Sequence, residues 1–237
     1  MIKADLHVHS CLSPCAEITM VPTVVCSKVK ERNVQIFSIT DHNSCDNLES
    51  FEKACESVLV PGIEVTSLEE VHVLGYFPTV ESVKNFYEVF KRHLPKVRFD
   101  SEILGYQLLV NERDEFVAFE EDYLLVASNL ELSELIDLIM KFGGIAVYAH
   151  IDRQFGVLYQ LGIFPQNDGV KLAEVRTKEG WKTALKAGYV PLTNSDAHRP
   201  DEIGCRFTRF DLNGASRREL FELLANPTRD RVLTIWD

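Results

Sequence analysis

The sequence predicts an α/β fold closed into a barrel. Three observations carry this. Short apolar runs alternate with helix-period patterns, as βαβ units and a largely parallel sheet require. The residues able to hold a metal fall at the ends of those runs, where a barrel gathers its chemistry. A chain of 237 residues also fits one α/β barrel of about 200–250 residues.

Taken in order, residues 2–9 are a first strand, and 23–32 a helix with Val24, Val25 and Val29 on one side. A second strand at 34–40 and a second helix at 47–57 follow. A third strand opens at 58–60 and continues through Pro61-Gly62 into 63–65, and a fourth covers 71–77. The rhythm then breaks: 81–93 has a helical pattern, and 103–110 and 115–119 are hairpin arms around 111–114. Residues 78–130 are therefore expected to be an insertion, a lid or partner surface, in a single domain spanning 1–237, since additions lie on the surface. A helix at 132–142 ends at Gly143-Gly144, as helices commonly do. The buried strand 145–149, the apolar run 170–175, a helix at 179–187 and the strand 190–193 continue the alternation. A helix at 216–225, stopped by Asn226-Pro227, and a short strand at 232–235 complete it.

Composition narrows the function classes. With 46% hydrophobic residues and dispersed charges, the chain has the apolar content that disordered segments lack. No apolar run reaches the ~18 residues of a membrane span, and the N-terminus carries Asp5, His7 and His9 where a signal peptide is apolar. A cytoplasmic protein with no membrane partner is expected. The six cysteines form no CxxC pair, so reduced thiols are expected. A net charge of −11 would repel a long polyanion, and long duplex nucleic acid is not expected as a partner. Small anions remain open if metal ions reverse the sign locally.

Six of the seven histidines sit inside or just beyond an apolar strand-like run: His7, His9, His42, His72, His150 and His198. Only His93 falls on a surface-type helix. Asp5, His7 and His9 share the strand period of two, which puts them on one face with Asp5 placed to fix an imidazole tautomer. Asn194, Asp196 and His198 repeat that spacing, Asp41-His42 ends another strand, and Glu64 closes one more. An isolated His-x-His is weak support for a metal. Six strand-end histidines accompanied by carboxylates exceed what one ion can hold, and a multinuclear site is expected.

The runs Asp5-Leu6-His7-Val8-His9-Ser10, Ile39-Thr40-Asp41-His42-Asn43, Pro61-Gly62-Ile63-Glu64, His72-Val73-Leu74-Gly75-Tyr76, Ala149-His150 and Asn194-Ser195-Asp196-Ala197-His198, in this order, resemble the PHP family, named for polymerase and histidinol phosphatase. The resemblance covers residues 1 to about 205. It implies a distorted seven-stranded (β/α) TIM-like barrel carrying two or three divalent ions, Zn, Mn or Fe. By the same resemblance His7, His9, Glu64 and Asp196 would hold a first metal. Glu64 would bridge to a second, completed by His72 and His150. His42 and His198 would hold a third with a ligand from the loop after His9, where aligning Thr19-Met20-Val21-Pro22 puts Glu17 in the acidic position. Cys11 or Cys15 is the alternative ligand there, thiolate being a good zinc partner.

Clustered divalent ions suit phosphate-ester hydrolysis, since they acidify a water and clamp phosphoryl oxygens. The expected activity is hydrolysis of a small phosphate ester (a phosphomonoester, nucleotide or short oligonucleotide) by a hydroxide bridging the ions. Glu64, Asp196 and His198 are the expected catalytic groups. Arg153, Arg199 and Arg206 are candidates to pair with the phosphate, each equally readable as a solvated surface arginine. Amidohydrolase-like chemistry on a non-phosphate substrate uses the same water activation, and a non-catalytic metal- or ligand-sensing module is the third reading.

Overall fold

The structure, a computed structural model, describes residues 1–166 and 168–237. Its elements are β1 (Ile2–Val8), α1 (Pro22–Glu31), β2 (Ile36–Ile39), α2 (Leu48–Ala54), β3 (Val58–Leu59), β4 (Gly62–Thr66), β5 (His72–Tyr76), α3 (Val80–Phe90), α4 (Ser101–Leu104), β6 (Leu108–Val110) and β7 (Phe116–Phe119). They continue with α5 (Leu132–Lys141), β8 (Ile145–Tyr148), α6 (Val157–Leu161), β9 (Leu172–Glu174), α7 (Lys178–Lys186), β10 (Val190–Leu192), β11 (Thr208–Phe210), α8 (Arg217–Ala225) and β12 (Val232–Leu233).

The strands form two five-stranded sheets, ordered β12-β11-β1-β2-β3 and β10-β9-β8-β5-β4, with β6-β7 as a separate hairpin. The sheets meet at two isolated bridges, Val8 with Ala197 and His42 with Glu64. The expected closed barrel is thus corrected to a mixed α/β arrangement, because single bridges join the sheets where continuous ladders would close a barrel. The largely parallel sheet is corrected as well: β5 runs antiparallel to both β4 and β8. The β4–β5 connection is a tight turn in which Ser67 N donates to Val71 O at 3.0 Å and Glu70 has φ 60°. A crossover to a parallel strand needs a dozen residues or more.

Gly62 explains the Pro-Gly step. A Cβ there would lie 2.4 Å from Ser38 Oγ, so only glycine lets β4 approach the end of β2. One apolar cluster lies between the sheets, with Leu6 of β1, Tyr76 of β5, Val147 of β8 and Leu192 of β10 among its members. Across it, Tyr76 Oη donates to Leu6 O at 2.8 Å. A second cluster packs α1, α2, α3 and α5 against the sheets.

Helix α3 buries Val80, Val83, Phe86, Tyr87 and Phe90 in that second cluster. The more peripheral part of 78–130 therefore begins after Phe90. Its hairpin is moored by Asn47, which donates to Leu108 O at 2.9 Å and accepts from Val110 N at 3.1 Å. Cys26 of α1 and Cys55 are joined as a disulfide, with Cα atoms 5.2 Å apart. This corrects the expectation of reduced thiols for that pair: distant in sequence, they are brought together by the packing of α1 on α2. No helix among the described residues is long and apolar enough to cross a membrane.

Candidate metal centre

The register of β1 against β2 shifts between Asp5 and Val8. Such irregularities re-aim side chains beside functional sites. The shift separates Asp5 from the two histidines it was expected to serve. Asp5 accepts from Ser195 N at 2.9 Å and Gly204 N at 2.8 Å. The partner of His7 Nδ1 is Glu174, at the end of β9, at 2.9 Å. The same Glu174 oxygen accepts from Asn194 Nδ2 at 2.9 Å.

The partners of His9 come from the loop after β1. His9 Nδ1 lies 3.0 Å from Ser13 Oγ, which donates to Asp41 Oδ1 at 2.7 Å. Asp41 also accepts from Ser10 N and Ser10 Oγ, at 2.7 and 2.6 Å. With Nδ1 of both histidines directed at oxygen, their Nε2 atoms are free to bind a cation.

Those two Nε2 atoms are 3.1 Å apart. Each is 3.3 Å from Glu64 Oε2 and 3.3 Å from Asp196 Oδ1. His7, His9 and Asp196 thus offer three mutually close donor atoms, and Glu64 Oε2 stands on the same two imidazole nitrogens, a mixed imidazole and carboxylate set of the kind that zinc takes. Glu64 is completely buried and faces two ways. Its Oε1 is 2.9 Å from His72 Nδ1 and 3.1 Å from His150 Nε2, while His42 Nδ1 is 3.1 Å from Oε2. His42 Nδ1 and Glu64 Oε2 nevertheless have no aligned hydrogen bond. Buried polar atoms without partners carry a cost that a bound ion removes. His9, His42 and His198 form a further group of mutually close donors. The residues present therefore fit divalent cations.

Electrostatics leaves the carboxylates and three of the histidines in ligand form. Burial pushes the Glu64 and Asp196 carboxyls up, but His7 and the other nearby histidines outweigh it and hold both well below the carboxylate range. Burial lowers His42 well below the usual imidazole value, lowers His72, and, with His9, brings His198 down to about 4. His7 and His9 go the other way: burial would lower both, but Glu174, Glu64 and Asp196 raise His7, and hydrogen bonds to Asp196 and Glu64 raise His9. Metal ligands must be deprotonated, so ion binding would work against protonation of His7 and His9.

The structure thus brings together His7, His9, His42, Glu64, His72, His150, Asp196 and His198. It does not bring Glu17. That carboxylate is 3.2 Å from Arg199 Nε with 47% of its side chain exposed, because the longer loop after His9 carries it outward. Cys15 lines the mouth of the cavity beside the histidines. Cys11 is buried and turned to Leu108 O at 3.7 Å. Of the arginines, Arg153 alone reaches the cluster, donating to Asp196 Oδ2 at 2.6 Å. Arg199 is spent on Glu17 and Asp201, and Arg206 donates to Arg176 O. His93 pairs with Asn129 at the surface, as expected.

Backbone strain concentrates here. Asn43, His150 and Asp196 all have positive φ, at 51°, 22° and 53°. Asn43 offsets its strain by donating to Leu124 O and Val126 O and accepting from Thr66 N. Those bonds set residues 125–127 at the rim of a cavity of about 320 Å³ above the cluster. Glu174, Ser13, Asp41 and this wall are the parts that sequence reasoning missed.

A family model described as PHP-associated matches residues 178–226, from the first residue of α7 to just beyond α8. A comparison with curated proteins finds no match. Among solved structures, the chain is similar to the lesion-specific endonuclease PfuEndoQ from Pyrococcus furiosus, with 17% identity over 99% of this chain and 57% of that one and a TM-score of 0.75. The chain thus spans little more than half of that protein. A two-domain protein from Bacteroides vulgatus containing a predicted PHP-like metal-dependent phosphoesterase matches at 17% identity over 98% of this chain and 64% of the other, TM-score 0.58. An amidohydrolase from Chromobacterium violaceum matches at 17% identity over 98% and 97%, TM-score 0.57. The chain shares its fold with these structures.

One expectation is overturned. A structure of endonuclease Q, matched over 96% of this chain at 17% identity and a TM-score of 0.71, holds a 27-mer duplex with an abasic lesion at the active site. A net charge of −11 therefore does not exclude long duplex nucleic acid from this fold. Net charge averages over the surface, and Lys91, Arg92, Lys96 and Arg98 fall within eight residues of one another.

Proposed function

We propose that this protein is a metal-dependent hydrolase of phosphate esters. The observation that carries the reading is the grouping of His7 and His9 Nε2, 3.1 Å apart, with Glu64 Oε2 and Asp196 Oδ1 each 3.3 Å from both, continued through Glu64 to His72 and His150. His42 and His198 would complete a further site. Two or three ions of Zn, Mn or Fe type are the fitting complement, and the site belongs to a single domain with its peripheral addition between 78 and 130. The strands β1, β2, β4, β5, β8, β9 and β10 would then be a seven-stranded ring open at two seams, and the location cytoplasmic.

When bound, such ions supply an acidic water and a clamp for phosphoryl oxygens. The chain's own groups do the rest. Glu174 and the Ser13–Asp41 pair fix the tautomers of His7 and His9. Glu64, buried between two groups of histidines, holds their spacing. Arg153 reaches over Asp196 and is placed to pair with a phosphate oxygen. Hydrolysis forms one P–O bond from water and breaks the ester P–O bond, the proton passing to the leaving oxygen. Asp196 and His198, at the open side of the cluster, are the groups in reach of that exchange.

The test is a screen of metal-loaded protein against phosphomonoesters, nucleotides, short oligonucleotides and simple amides. Phosphate or nucleotide release that is abolished by His150→Ala and by Asp196→Ala is expected. Turnover confined to amides, or activity surviving both substitutions, would overturn the reading.

A further inference from the structure

Phe155 is a half-buried aromatic residue outside the apolar core. It belongs to neither apolar cluster, yet it is held at φ 65°, a conformation that a bulky L-residue rarely adopts. What holds it is a tightly wound turn. Arg153 N donates to His150 O at 3.1 Å, Gly156 N to Arg153 O at 2.9 Å and His72 N to Phe155 O at 2.8 Å. A Cβ on Gly156 would stand 2.3 Å from His150 O, so the turn admits only glycine there. Asp152 fastens it from outside by accepting from Arg176 N and Thr177 N, at 2.8 and 2.7 Å.

The result is a ring lying parallel to His72, 4.8 Å away at 8°, and lining the cavity above the cluster. Leu125, Val126 and Ala127 line the same cavity. Strain on a residue outside the core, maintained by several bonds, marks a functional position. An apolar lining beside an anion-binding cluster suits a phosphate ester whose organic part is flat and apolar. At about 320 Å³ the cavity is at the small end of ligand sites, room for one nucleotide unit.

Resting on the phosphoesterase reading, we infer that the site takes a nucleotide unit and that Phe155, with residues 125–127, forms the slot for its base. The base stacks on the apolar lining while Arg153 and the cluster hold the phosphate. A sugar phosphate lacking a base would leave that lining wet.

The experiment compares nucleoside 5′-monophosphates with ribose 5-phosphate, both of which leave through the primary 5-hydroxyl of a ribose, on the metal-loaded protein. A ratio of kcat/KM of about tenfold or more in favour of the nucleotides is expected, the order that one base–aromatic stack supplies. Phe155→Ala should bring the ratio close to one, and Phe155→Leu part of the way. Ala127→Phe, which fills the slot from the other segment, should do the same and stands in if the Phe155 variants do not fold. A short single-stranded oligonucleotide as a third substrate separates a free nucleotide from one within a strand. A wild-type ratio near one, or a ratio unmoved by the substitutions, overturns the slot. If no phosphate ester is turned over, the phosphoesterase reading fails, and equilibrium binding of the same two ligands decides the slot by the same tenfold criterion.

Discussion

Glu174 is where a single substitution tests the architecture most directly. Its Oε2 accepts from two buried donors, His7 Nδ1 and Asn194 Nδ2, both at 2.9 Å. Asn194 in turn accepts from Leu6 N at 3.0 Å, so the carboxylate ties β9 to β1 through the loop after β10. Glu174→Ala removes the acceptor of both donors. Each buried group left unpaired costs about 1–3 kcal/mol, so a loss of roughly 2–6 kcal/mol of stability is expected. Removing such an outer partner of a ligating histidine typically weakens metal binding 10–100-fold, about 1.4–2.7 kcal/mol. Glu174→Gln retains an oxygen but loses the charge, and about tenfold is expected. The assay is competition for Zn or Mn against a chromophoric chelator, with urea unfolding of the metal-stripped protein measured alongside. Asp5→Asn is the control: Asp5 makes no direct hydrogen bond to a His7 ring nitrogen and reaches His7 only through Ser195, which bonds the His7 backbone, so metal affinity should fall less than in either Glu174 variant, within about threefold. Affinity within twofold of wild type in both Glu174 variants, or a larger loss in Asp5→Asn, would refute the assignment.

Elemental analysis after metal loading should find two or more divalent ions per chain, and a chelator should lower Tm. At a free metal concentration 100 times Kd, binding contributes about 2.7 kcal/mol, so an unchanged Tm would contradict a folded-state site. Asn43→Ala removes the side-chain bonds to Leu124 O, Val126 O and Thr66 N at a left-handed position. A loss of about 2–4 kcal/mol in urea unfolding is expected, and a loss under 1 kcal/mol would count against its mooring role. Reducing the Cys26–Cys55 bond, which spans 29 residues, should cost about 3–4 kcal/mol by chain entropy. Unfolding midpoints equal with and without reductant would refute that. Burial, only partly offset by bonds from Ser195 and Gly204, raises Asp5 from 3.8 to about 6. The folded state therefore holds this proton more tightly than the unfolded one, and the contribution is fully present below pH 3.8 and lost as pH rises through 6. Relative to Asp5→Asn, wild type should lose about 3 kcal/mol between pH 4 and 7, and a constant difference would contradict the burial.

The cluster residues are legible in the sequence because strand ends converge and because histidine is conspicuous in an apolar run. His7, His9, His42, His72, His150, Asp196 and His198 all meet for that reason. Glu174 is invisible by the same logic. Glu174 lies inside the apolar run 170–175 with no histidine beside it to mark it, and its partner His7 is 167 positions away. Asp5 misleads because alternation assumes an unbroken ladder, and the register shift after Asp5 breaks it. Glu17 fails for a different reason: loop length fixes where a residue lies along the chain, while an exposed arginine decides where its carboxylate points. Strand direction is the main loss in the fold. Residues 67–71 are too few for a crossover, a constraint readable in the sequence but hidden by the expectation of βαβ repetition.

The strained positions join fold to site. His150 and Asp196 are themselves cluster residues with positive φ, and Asn43 follows another, His42. A regular strand running on would alternate its side chains between faces and could send only every second residue toward the cluster. A left-handed step ends the strand abruptly and turns the chain back on itself. Such a step costs about 1–3 kcal/mol at a residue other than glycine, and glycine would remove that cost at all three positions. It would also remove the imidazole at 150, the carboxylate at 196 and the side-chain amide at 43 that pins the cavity wall. The chain keeps the strain because the side chains are needed at the bends. That is also why the cavity, the cluster and the inferred slot all open at the same end of the strands.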